Sequence, residues 1–69
     1  MTFVEYVKAE CSKAGLFGDQ LSLAVLTIYN MIPVLKGRWN DFIEDYPDIV
    51  FSKVQQYTSF VIKTVVSPL

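Results

Sequence analysis

Sixteen consecutive residues, Gln20 to Leu35 ("QLSLAVLTIYNMIPVL"), carry no charge. Within them Leu21, Val25, Ile28, Ile32 and Leu35 recur at i, i+4, i+7, i+11 and i+14, the spacing of one helix face. The opposite arc holds Ser22, Thr27 and Asn30, but also Leu23 and Leu26. A helix that is apolar on nearly all sides needs burial on nearly all sides. A chain of 69 residues has few neighbours with which to provide it. Leu23, Leu26, Thr27 and Asn30 are therefore expected to meet a second copy of the chain in an isologous two-fold contact.

The usual staples of a small domain point the same way. Cys11 is the only cysteine and there is no histidine, so neither an intrachain disulfide nor a structural zinc site is expected. Oligomerisation is what remains. Only 19% of residues are charged, against about 25% in an average soluble domain. The net charge of −1 gives no field that would draw the chain to nucleic acid or an anionic bilayer. The opening "MTFVEYVKAE" contains acids and no leading basic region, unlike a signal peptide, so a cytoplasmic location is expected.

Helix signals cover most of the rest. Thr2 and Glu5 fit a capping box, Val4, Val7, Cys11 and Ala14 form a stripe, and Gly15 supplies a stop, giving a first helix over 3–14. Asp19 suits an N-cap for a second helix over 19–36. Pro33 interrupts or kinks that helix, leaving open whether it ends near Asn30 or runs bent to Lys36. In "KGRWNDFIEDYPD", Trp39, Phe42, Ile43 and Tyr46 fall within an arc of roughly 100°, which predicts a short helix over 39–45. Pro47 suits the first turn of a last helix over 47–66, with Asp48 at its positive end. Val50, Val54, Tyr57, Val61 and Val65 give its stripe, widened by Phe51 and Ile62, with Lys53, Gln56, Ser59 and Lys63 opposite. The β-branched run "FVIKTVV" raises a strand alternative, which the longer helical stripe outweighs. The expected architecture is all-α: one domain over 1–69, a small bundle of three main helices and a short one, its core completed by homodimerisation.

No constellation for catalysis is present. Cys11 lacks a histidine to deprotonate it and lies on an apolar face. Glu44, Asp45 and Asp48 sit near a helix start, where carboxylates favour the dipole without any acid–base role. The three glycines are separate, so there is no phosphate loop. The six basic residues are scattered and do not form the stripe a DNA reader needs. No enzyme activity, cofactor, metal or direct nucleic-acid contact is expected.

What remains is recognition of other proteins. Trp, Tyr and Arg dominate interface energetics because they bury a large area while keeping a polar handle. Arg38, Trp39, Asp41, Tyr46 and Tyr29 are the candidate partner-binding residues, although the helical spacing of Trp39, Phe42 and Tyr46 also suits a core-facing role.

In its length and helical plan the chain resembles the small host-takeover proteins of phages, in particular the anti-quorum-sensing family, with "KGRWNDF" as the segment where such contacts are expected. That resemblance implies a helical dimer acting by protein contact alone. It would inhibit a host LuxR-type transcription activator, or bind a pilus-assembly ATPase, by occluding the target's working surface. No residue roles carry over from it. The alternative reading is a small membrane-associated protein with residues 20–35 against lipid. As a helix that run spans about 24 Å, against a hydrocarbon core of roughly 30 Å.

Overall fold

The computed structural model describes residues 1–38 and 41–66. Among these the chain forms three α-helices, α1 (Phe3–Lys13), α2 (Asp19–Met31) and α3 (Asp48–Val66). Two single 3₁₀ turns, Pro33–Leu35 and Ile43–Asp45, lie between α2 and α3. Each helix packs against the other two. The fold is all-α, as the periodicity predicts.

Local chemistry sets the helix ends. The Thr2 hydroxyl accepts from the Glu5 amide at 3.2 Å and the Glu5 carboxylate accepts from the Thr2 amide at 2.8 Å, so the capping box is complete. At the other end of α1 the Gly15 amide donates to the Ser12 carbonyl and the Leu16 amide to the Cys11 carbonyl. This is the Schellman arrangement; it needs a left-handed residue, and Gly15 takes φ 93°. It also folds Leu16 back beside Cys11, and both are buried.

Three boundaries depart from expectation. Asp19 is the first residue of α2; the cap is Gly18, at φ 61° and ψ −130°. The second helix ends at Met31 and does not reach Lys36. Ile32, kept out of the helical region by the proline after it, takes φ −121° and ψ 88°. The 3₁₀ turn that follows still returns Leu35 to the core beside Ile32. At α3 the first helical residue is Asp48, and the Pro47 carbonyl accepts from the Val50 and Phe51 amides.

The short helix expected over 39–45 is the main correction. Phe42 is extended, pairs with Thr2 in an isolated antiparallel bridge and is 54% exposed. The Phe3 amide donates to the Asp41 carbonyl and the Ile43 amide to the Met1 carbonyl, so the N-terminal segment satisfies backbone that a helix would have satisfied internally. Ile43–Asp45 make a single 3₁₀ turn, and Tyr46, which precedes a proline, is extended. The expected common face of Phe42, Ile43 and Tyr46 therefore does not form; Trp39 lies outside the described residues.

The core gathers Phe3, Val7 and Cys11 from α1, Val25 and Ile28 from α2, and Val54 and Val61 from α3, together with Leu16, Ile32 and Leu35. Full burial of a large side chain such as Phe3 or Ile28 is worth roughly 1.5–3 kcal/mol each. Ring contacts add definition: Tyr6 meets Phe51 edge-on at 5.5 Å and Phe3 lies 6.1 Å from Tyr29. Thr58, unremarked in the stripe reading, is 3% exposed inside α3, with its hydroxyl donating to the Val54 carbonyl at 2.6 Å. The "FVIKTVV" run continues α3 as helix through Val66.

Candidate functional site

Two surfaces stand out. The first is a cleft between α2 and α3, about 330 Å³ in volume. Leu23, Ala24 and Thr27 line it from α2, and Phe60, Val61 and Thr64 from α3. Its remaining lining residues are Gln20, Met31 and Val65, so none of the lining side chains is charged. Leu23 is 64% exposed and Phe60 59% exposed. Leu26 is 49% exposed on α2 but does not line the cleft, and Asn30 is likewise exposed beside it.

The two hydroxyls of this face are already engaged. The Thr27 hydroxyl donates to the Leu23 carbonyl at 2.7 Å and the Thr64 hydroxyl to the Phe60 carbonyl at 2.9 Å. A hydroxyl satisfied by its own helix can leave water at little cost, whereas an unpaired one carries a desolvation penalty. The cleft is thus more apolar than the letters Thr27 and Thr64 suggest.

The second surface is the corner between α2 and α3 that holds the expected partner-binding residues. The structure brings four of them together. The Tyr29 hydroxyl accepts from the Gly37 amide at 2.8 Å. The Tyr46 hydroxyl donates to the Arg38 carbonyl at 3.2 Å, and the Arg38 guanidinium lies 5.5 Å above the Tyr46 ring. The Arg38 Nε donates to Asp41 Oδ2 at 2.8 Å. That hydrogen bond holds the guanidinium pKa above its ordinary value, against the lowering effect of desolvation.

The four residues differ in what they can offer. Arg38 and Asp41 are exposed. Tyr46 is only 6% exposed, and burial followed by the charge of Asp41 pushes its phenol up. It serves as the platform under Arg38, and Tyr29, half-buried, ties down the loop. A partner would meet the Arg38–Asp41 pair rather than the tyrosines.

Cys11, fully buried, has its thiol raised by desolvation and then by Glu10, the opposite of an activated nucleophile. Among the described residues no helix is long and apolar enough to cross a membrane.

A scan against protein-family models, a search of curated proteins and a search of solved structures each return no match for this chain. The functional reading therefore rests on the two surfaces.

Phe60 and Met31 are the residues that sequence reasoning missed. The signal was present: Phe60 falls outside the Val50–Val65 stripe, on the side carrying Lys53 and Lys63, where a large apolar side chain has no core to face.

Proposed function

We propose that this chain is a non-enzymatic protein-interaction module, an inhibitor that acts by covering the working surface of a host regulatory protein. The observation that carries the reading is the uncharged α2/α3 cleft with Leu23 and Phe60 standing open on its walls. Contiguous apolar surface of this kind is where proteins bind one another. The Arg38–Asp41 pair adds a polar contact with a fixed geometry, because Tyr46 holds the guanidinium from beneath. The resemblance to phage anti-activators makes a LuxR-type transcription activator the first target class to test and a pilus-assembly ATPase the second. Both classes present that surface in the cytoplasm, where this reading places the chain.

The test is retention of host proteins on immobilised chain, identified by mass spectrometry, for the wild type and for Leu23→Lys, Arg38→Ala and Trp39→Ala. Loss of a specific protein with a variant that keeps its helical circular dichroism supports the reading. Retention of the same set by all three folded variants rejects these surfaces.

A further inference from the structure

Resting on the reading of the Arg38–Asp41 corner as a contact surface, we propose that residues 1–3 are a strap that switches this corner between an ordered and an open state. Closed, the strap presents the Arg38 guanidinium in a fixed geometry. Open, it releases Asp41 and with it the guanidinium.

The order of bonding is the first argument. Arg38 Nε is held by the Asp41 carboxylate, and the Asp41 backbone carbonyl accepts in turn from the Phe3 amide at 3.1 Å. Two residues on, the Ile43 amide donates to the Met1 carbonyl at 2.8 Å. Glu44 closes the pairing on the Met1 ammonium. Thr2 and Phe42 face each other between these bonds, the one strand-like pairing among the described residues. The strap itself is firmly rooted, because Phe3 is fully buried and begins α1 behind the completed capping box. Arg38 keeps its own backbone anchors, the Leu35 carbonyl and the Tyr46 hydroxyl. What opening removes is therefore the hold of Asp41 on the guanidinium.

Burial is the second. Asp41, Phe42, Glu44 and Asp45 are exposed, and Ile43 is half-buried. A segment locked into a core opens only with the whole fold, whereas one held by a few bonds within reach of water opens locally at lower cost. The Glu44 ion pair is exposed and adds little to the closure. Tyr46, buried, ends the loosely held stretch.

The consequence for binding follows from linkage. A partner that takes Arg38 in its fixed geometry finds a competent chain only in the closed fraction, so its apparent dissociation constant rises as that fraction falls. The same partner, once bound, holds the strap shut.

Hydrogen exchange followed by NMR on the full chain tests this. Ile43→Pro deletes one strap donor. The backbone suits it: Phe42 is already extended at φ −72° and ψ 134°, and Ile43 begins a 3₁₀ turn, where the φ of proline fits. Ile43→Ala loses the side chain and keeps the donor. The Phe3 amide and the Arg38 Nε–H should exchange at least about 5-fold faster in the proline variant than in the alanine variant, with the Ile28 and Val54 amides unchanged. In the wild type the Phe3 and Ile43 amides should share one opening, at least about 10-fold more frequent than that of Ile28. That second measurement holds even where the proline variant fails to fold. Equal rates in the two variants overturn the proposal, as does wild-type protection of Phe3 and Ile43 equal to that of Ile28. These readouts need no partner, so they judge the strap apart from the protein-binding reading, which rests on the proteins that Arg38→Ala fails to retain.

Discussion

The Tyr46 hydroxyl donates to the Arg38 carbonyl while the Arg38 guanidinium lies over the Tyr46 ring, so one buried side chain fixes both the backbone and the head group of an exposed arginine. The Arg38 carbonyl also accepts from the Asp41 amide at 3.2 Å. Tyr46→Phe keeps the ring and removes only one of two donors. It should lower unfolding free energy by about 1 kcal/mol, seen as a lower denaturant midpoint at constant slope. Because burial raises the phenol in the folded state, the stability it confers is full below the ordinary value of 10.0 and is lost as pH rises through the folded value. The variant should lack that part of the alkaline loss.

At the start of α1, Glu5 is held below its ordinary value of 4.5, chiefly by the hydrogen bond from the Thr2 amide. A depressed carboxylate contributes stability above 4.5 that is lost as pH falls through the folded value. Wild type and Glu5→Gln should therefore differ in thermal midpoint at neutral pH and converge in acid. Thr2→Ala removes the reciprocal cap and should cost about 1 kcal/mol. A wild-type advantage that persists unchanged well below pH 4 would contradict the capping-box account.

Gly18 caps α2 in a conformation that L side chains rarely adopt, yet a β-carbon there would meet no atom within 4 Å. Gly18→Ala isolates backbone strain from steric clash. It should destabilise by about 1–3 kcal/mol and depress the melting temperature, while Ser22→Ala, an exposed site one turn later, should change little. Equal melting temperatures for the two variants would show that the loop relaxes around the substitution.

Cys11 is a reporter of opening. Its buried thiol, raised by desolvation, should react with a thiol reagent at neutral pH only as fast as the fold opens, and promptly in denaturant. Above the ordinary thiol value of 9.0 the unfolded state ionises first, so the contribution of burial to stability is lost as pH rises through the folded value. Fast labelling of the native protein would place Cys11 outside the core.

Much of this fold was written in local pattern. The stripe Leu21, Val25, Ile28, Ile32 and Leu35 foretold which residues face inward: Val25 and Ile28 are buried on α2, and Ile32 and Leu35 are buried beyond its end. The capping box, the Gly15 stop and the polar side of α3 were legible for the same reason: each depends on residues within one or two turns, so spacing alone encodes it. The mixed arc of Leu23, Leu26, Thr27 and Asn30 is exposed, as a helix too apolar for its own chain requires.

The loop between α2 and α3 was not legible, and neither was the far wall of the cleft. The segment 41–46 has helical spacing, but its backbone is claimed by Met1, Thr2 and Phe3, some forty residues earlier, and no periodicity reports a partner so far along the chain. Phe60 and Leu23 share one cleft only because α3 packs on α2. Sequence by itself determined the helices, their inward faces and the excess of apolar surface, since these follow from side chains a few residues apart. Tertiary packing alone decided how Arg38, Asp41, Tyr29 and Tyr46 meet at one corner and where the surplus apolar surface gathers. Both depend on contacts between segments that the chain order holds far apart.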